Sequence, residues 1–260
     1  MEQLNYCVSA ATRINGRGLS KPNEDFFLAD KEHHIFILLD GITRVHKEYE
    51  DYPGKSAACD VNDIFSNVAY RYILEHMDEQ EPDILLKKAA TAGNAALVFY
   101  RSKHTLAQWQ FYPGSLGILA MIRGNRLHFL YNGDCQATLI RWGTKMHFAQ
   151  QGSAEALELM KVSKKDRYDL YCNHPEHPLG YGIFNGDETA AELFEQSAFD
   201  LEPGDLLLLC SDGIARYVRY EKCEKLAALT PEEMIDESCR FDVPPFASYA
   251  DDKTVIKIQF

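Results

Sequence analysis

The chain has 260 residues, 46% hydrophobic and 25% charged, with a formal net charge of −12. That length and mix suit one domain over residues 1–260 and exclude a mostly disordered chain. The acidic balance argues against a nucleic-acid partner, which would call for a basic surface.

Seven cysteines, an odd number without a C-x-x-C pair, make a disulfide framework a poor fit and point to a reducing, cytoplasmic setting. The start Met1-Glu2-Gln3-Leu4-Asn5 has no signal-peptide pattern, and no apolar run approaches the ~20 residues of a membrane span. No membrane partner is expected, and a monomer is.

The first forty residues read as strand, irregular loop, strand. The loop Asn15-Gly16-Arg17-Gly18-Leu19-Ser20-Lys21-Pro22 is rich in turn formers and basic residues. Over residues 55–78, Ala57, Ala58, Val61, Ile64, Phe65, Val68, Tyr72 and Ile73 recur at helical spacing and predict a helix with one buried face. A second helix is expected over 82–102, with Pro82 in its first turn and Leu85, Ala89, Ala92, Ala96 and Phe99 on its apolar side.

Strands follow at 116–122 and 126–132 around the hairpin turn Gly124-Asn125, then at 137–141. Residues 151–185 combine a helix near 154–162 with a polar stretch ending in Pro178-Leu179-Gly180-Tyr181-Gly182, which reads as a surface lid. Glu202-Pro203-Gly204-Asp205 turns the chain into a strand at 206–210. Thr230-Pro231-Glu232-Glu233 supplies an N-cap, a first-turn proline and a capping-box glutamate, and 254–259 is a closing strand. Adjacent hairpins favour an α+β fold with antiparallel sheets over a parallel doubly wound one.

Five acidic islands stand at or near the ends of apolar runs: Asn23-Glu24-Asp25, Asp40-Gly41, Gly133-Asp134, Ser211-Asp212-Gly213 and Asp251-Asp252. A carboxylate at a buried strand end is costly unless paired, hydrogen-bonded or metal-bound. Several of them, with few basic neighbours, suit hard divalent cations with oxygen ligands. Taken alone, an Asp-Gly pair reads as a turn. No G-x-S-x-G, P-loop or G-x-G-x-x-G occurs, so serine-hydrolase, nucleotide-kinase and dinucleotide readings have no support.

In order, these islands together with Gly114-Ser115, Asn132-Gly133-Asp134-Cys135-Gln136-Ala137, Leu179-Gly180-Tyr181-Gly182, Pro203-Gly204-Asp205-Leu206 and Asp251-Asp252-Lys253-Thr254-Val255 carry a resemblance. From about Thr12 to the C-terminus the chain resembles the protein phosphatase 2C family of metal-dependent serine/threonine phosphatases. The resemblance implies a four-layer αββα sandwich, two central antiparallel sheets flanked by helices, with a metal centre at one end.

It further implies two Mg²⁺ or Mn²⁺ ions, with a third, weaker position. Asp40 would bridge both ions and the Gly41 carbonyl would bind one; Asp212 and Asp251 would complete the other. Glu24 and Asp25 would lie beside the centre, and Asp134 would face the third position, shared with Asp212. The implied reaction is hydrolysis of phosphoserine or phosphothreonine in a phosphorylated protein by direct attack of a metal-bridging water. A catalytically silent binding module and a phosphatase of small phosphate esters remain alternatives.

The chain departs from the family pattern in three places. Ser20, followed by Lys21, stands where the family has a phosphate-clamping arginine, with Arg17 nearby in the same loop. Asp40-Gly41-Ile42-Thr43-Arg44 lacks the family's later glycines, and Arg44 is expected to replace the clamp. Arg216 replaces an acidic residue after Ser211-Asp212-Gly213. Cys172, His174 and His177 lack a good zinc spacing and read as part of the lid. Trp109 and Trp142 read as packing residues.

Overall fold

A computed structural model describes residues 5–14, 22–42, 55–103, 112–148, 152–242 and 251–260. One five-stranded sheet holds, in spatial order, β1 (Cys7–Arg13), β10 (Lys253–Gln259), β9 (Leu206–Cys210), β6 (Gln136–Arg141) and β7 (Thr144–Phe148). The other holds β2 (Phe26–Asp30), β3 (Ile35–Ile42), β4 (Gly114–Arg123), β5 (Arg126–Asn132) and β8 (Glu195–Asp200). Every neighbouring pair is antiparallel.

The period of two along each strand sorts its side chains between two cores. Phe36 and Leu38 of β3, Ile118 and Ala120 of β4, and Phe129 of β5 meet Ala137, Leu139, Leu207, Leu209, Ile256 and Ile258 from the opposite sheet. The alternate residues Ile35, Ile37 and Leu39 pack against Val61 and Phe65 of α1 (Ala57–His76) and Leu85, Leu86 and Ala89 of α2 (Pro82–Ser102). On the far side, Leu208, Cys210 and Val255 pack against Ile214, Tyr217 and Val218 of α5 (Asp212–Tyr220) and Met234 and Ile235 of α7 (Pro231–Ser238). The short α6 (Cys223–Ala228) adds Leu226 to that layer. These layers form the expected αββα sandwich. Burial on both faces explains why β3 and β9 are continuous apolar runs rather than alternating ones.

The structure corrects three readings. Residues 172–185 are not a loose lid. Ser115 and Phe184 exchange backbone hydrogen bonds at 3.0 and 2.9 Å, and Asn173 bonds Ile183 through both its amide atoms. Tyr181 and Ile183 join Leu116 and Cys172 in a buried cluster, so the segment is a wall docked on β4, reached through α3 (Gly152–Leu159) and α4 (Lys164–Tyr171). Trp142 is 86% exposed, because it forms with Gly143 the two-residue turn between β6 and β7, both at positive φ. Phe99 is 68% exposed; the buried face of α2 runs through Leu85, Leu86, Ala89, Ala90, Gly93 and Leu97 instead. Trp109 lies outside the described residues.

Candidate metal centre

Asp40 and Gly41 are not a turn. They are paired residues of β3, opposite Leu116 and Ser115 of β4. Asp212 lies in the first turn of α5, directly after β9, and Asp251 two residues before β10. Asp25 immediately precedes β2, and Asp134 sits between β5 and β6. Each of these five carboxylates is partly buried.

Their mutual repulsion marks them as neighbours. Burial raises Asp40 well above the ordinary carboxylate value, and the charges of Asp212, Asp25, Asp134 and Asp251 raise it further. Asp212 is raised likewise, by burial and then by Asp134, Asp251 and Asp25, while a hydrogen bond with Asp40 works in the opposite direction. Asp25 is pushed up to about 7, chiefly by burial, with Asp252 and Asp251 adding to it. Segments far apart in sequence therefore deliver their charges to one end of the sandwich.

Hydrogen bonds hold the scaffold under these groups. Ser211, the N-cap of α5, donates its hydroxyl to Asp25 at 2.7 Å and accepts the Thr254 N–H at 3.0 Å. Glu24 is 1% exposed. Its N–H donates to Asp252 at 2.9 Å, while its carbonyl accepts from Gly41 N–H at 3.1 Å and from Asn62 at 2.7 Å. The buried Lys253 ammonium donates to the Gly213 carbonyl at 2.9 Å and to Asp242 at 2.7 Å, pinning the first turn of α5.

The glycines after the two central aspartates serve close approach. A Cβ on Gly41 would lie 2.6 Å from the Glu24 carbonyl oxygen, and one on Gly213 would lie 2.1 Å from that of Asp252. Gly213→Ala should therefore destabilise the fold by about 1–3 kcal/mol through overpacking, measured by denaturant unfolding. It should also displace Asp212 relative to Asp251-Asp252.

The donor set fits hard divalent cations: carboxylates with a strand-end carbonyl at Gly41. Asp212 Oδ1 is buried and, among the described residues, has no hydrogen-bond partner. Among the described residues no Lys or Arg forms an ion pair with Asp25, Asp40 or Asp212. Also among them, no group of three or more His, Cys, Asp and Glu side chains is placed closely enough to hold a metal ion as it stands.

Arg17, Lys21 and Arg44, the expected phosphate contacts, lie outside the described residues. Arg216, one turn beyond Asp212, has its guanidinium over the Tyr220 ring at 5.8 Å. His177 accepts the Leu179 N–H, His174 bonds Glu176, and burial pushes the Cys172 thiol up. Local structure accounts for all three. Two supporting residues, Ser211 and Asn62, have roles the sequence reading did not assign. The signal for Asn62 was a polar residue on the buried stripe of α1.

No protein-family model matches the sequence, and no curated protein matches it. Solved structures do. The serine/threonine phosphatase PstP/Ppp of Mycobacterium tuberculosis is 19% identical, with a TM-score of 0.65 over 99% of each chain. PppA of Pseudomonas aeruginosa, a regulatory component of T6SS, is 18% identical, with a TM-score of 0.65 over 99% of this chain and 98% of that one. The catalytic domain of PstP in complex with two manganese ions is 18% identical, with a TM-score of 0.62 over 98% and 97%. At these identities the likeness shows the fold: this chain has the architecture of serine/threonine phosphatases along nearly its whole length.

Proposed function

We propose that this chain is a single-domain phosphoprotein phosphatase of the protein phosphatase 2C family, acting on phosphoserine and phosphothreonine with two Mg²⁺ or Mn²⁺ ions. The observation that carries the reading is the mutual charge of Asp25, Asp40, Asp134, Asp212 and Asp251 at one end of the sandwich. The two manganese ions of the PstP catalytic domain, which shares this fold, support it.

Asp40, Asp212, Asp251 and the Gly41 carbonyl would hold the two ions, and Asp134 would share a third, weaker position with Asp212. When bound, the ions supply positive charge for the phosphoryl oxygens and a nucleophile at neutral pH.

The protein's own contribution is orientation. β3 fixes Asp40 through its pairing with Leu116, and Ser115 Oγ donates to the Asp40 carbonyl at 3.0 Å. The Ser211 hydroxyl holds the Asp25 carboxylate in one position beside the cluster. The helix dipole of α5 favours the ionised form of Asp212 at its first turn, offsetting part of the repulsion from its neighbours. Asp25 and Glu24 complete the acidic wall, and Arg44, Arg17 and Lys21 are the proposed phosphate contacts. The seven free cysteines fit a reducing, cytoplasmic setting.

The deciding assay measures release of phosphate from p-nitrophenyl phosphate and from a phosphothreonine peptide, with Mn²⁺, with Mg²⁺ and with chelator. Turnover of both, abolished by chelator, is the expected result. Turnover of neither would mean a silent binding module, and turnover of the small ester alone would mean a small-ester phosphatase.

A further inference from the structure

Arg101 and Arg141 are partly buried and pair with carboxylates, Asp187 for the first and Asp205 and Glu202 for the second. Arg123 donates to the Gln80 and Met77 carbonyls. Arg167, on α4, is also partly buried, yet its guanidinium has no hydrogen bond or ion pair among the described residues. Its Nε is shut off from solvent without an acceptor, while its two terminal nitrogens keep solvent access. A partly desolvated guanidinium without an anion is unfavourable, so the arrangement favours an anion that arrives from outside.

The Tyr181 hydroxyl belongs to the same place. The Arg167 carbonyl accepts the Cys172 N–H at 3.1 Å, and Cys172 forms a strand bridge with Tyr181. Tyr181 is 9% exposed and packs in one cluster with Leu116. Its hydroxyl also has no hydrogen bond among the described residues and keeps solvent access. Burial raises its pKa, so it remains a proton donor at neutral pH, and the charges of Arg167 and Asp134 both act on it.

Leu116 connects this pair to the acidic end of the sandwich. It lies opposite Asp40 in the β3–β4 ladder, and a Cβ on Gly133 would lie 2.5 Å from its Cδ2. Asp134 follows directly. The wall therefore brings two unmet donors to the side of the carboxylate cluster that Asp134 occupies.

We propose that the Arg167 guanidinium and the Tyr181 hydroxyl bind the phosphoryl oxygens of the substrate, clamping the phosphate from the wall. The inference rests on the phosphatase reading and deepens it by naming described residues that hold the phosphate. A guanidinium fork matches two oxygens of a phosphate, and the hydroxyl donates to a third or shares one. The phosphoryl group is the anion common to every phosphate ester, so the contact is independent of the sequence around the phosphoresidue.

The test measures binding of inorganic phosphate to the Mn²⁺-loaded protein by calorimetry, without turnover. Arg167→Ala should weaken it about tenfold, the scale of one charge-assisted bidentate contact. Arg167→Lys keeps the charge, loses the fork and should fall between the two. Tyr181→Phe keeps the buried ring, removes the hydroxyl and should weaken binding about threefold, the scale of one hydrogen bond. In Arg167→Ala, KM for p-nitrophenyl phosphate and for a phosphothreonine peptide should rise by a similar factor. Mn²⁺ binding, titrated without phosphate, should not weaken, because a positive charge near the carboxylates has been removed.

Unchanged phosphate binding in Arg167→Ala overturns the clamp. So does a loss matched by an equal loss of Mn²⁺ affinity, or a rise in KM confined to the peptide, which would place Arg167 against the polypeptide instead. If the wild type hydrolyses neither ester but binds phosphate with Mn²⁺ through Arg167, the phosphatase reading fails and the anion site stands. If it hydrolyses both and Arg167→Ala behaves as wild type, the reading stands and the clamp fails.

Discussion

On the proposed phosphatase reading, Asp212→Asn should abolish Mn²⁺-dependent hydrolysis of p-nitrophenyl phosphate, with a loss on the order of 1000-fold, because removing a proposed ligand would forfeit several kcal/mol of transition-state charge stabilisation. The substitution keeps the shape of the side chain and removes its charge. In the metal-free protein that charge is unfavourable: burial and the neighbouring Asp134, Asp251 and Asp25 all oppose it. The variant should therefore melt at a higher temperature than the wild type when both are stripped of metal.

The two readouts together separate a functional carboxylate from a structural one. An Asp212 retained only as a first-turn helix residue would show the reverse pattern, since Asn loses the favourable interaction of a carboxylate with the helix N-terminus. Unchanged turnover with a lowered melting temperature would show that Asp212 holds no metal.

The parts of the site that the sequence made legible are those built from buried strands. The run Leu206–Cys210 is buried throughout, so its composition is apolar at every position and its end is unmistakable. The charges that follow such runs stand out for the same reason. Arg126–Asn132 was legible through the Gly124-Asn125 turn, which sets the hairpin register with β4. β7 and β8 were not legible: as edge strands they are only partly buried, and Glu195-Gln196-Ser197-Ala198 has no apolar run. α4 is built from Lys164-Lys165-Asp166-Arg167 and is marked mainly by its N-cap, Ser163, which accepts the Asp166 N–H.

Within the site, the identities of the carboxylates were readable and their supports were not. Ser211 looks like an ordinary N-cap, yet its hydroxyl serves Asp25, 186 residues away in sequence, rather than its own helix. Gly41 and Gly213 look like turn glycines, whereas each marks a point where two backbones touch. Such contacts between distant segments have no local signature. The wall at residues 172–185 was misread for a related reason: it is polar because Asn173 and Asn185 bond the backbone and each other inside the fold.

The metal-free protein should lose stability as pH rises from about 4 to about 7, the reverse of ordinary acid denaturation. Asp25, at about 7, and Asp40 and Asp212, both raised, hold protons in the folded state that an unfolded carboxylate releases near the usual value of about 4. Where the folded state binds more protons than the unfolded one, stability falls with rising pH. Cation binding removes this penalty, since it requires the ionised carboxylates and displaces their protons.

At 100 times its dissociation constant a bound ion adds about 2.7 kcal/mol. For a chain of this size that amounts to about 5–10 °C in Tm. Thermal melts in Mn²⁺ and in chelator should therefore diverge strongly at pH 7.5 and converge at pH 5. The titration of carboxylates elsewhere in the fold is subtracted by repeating both series on Asp40→Asn, which removes one shared group from the cluster. The pH dependence of its chelator series should be flatter, and its Mn²⁺ shift should be small at every pH. A wild-type Tm that ignores Mn²⁺ at pH 7.5 would mean that these carboxylates hold no cation.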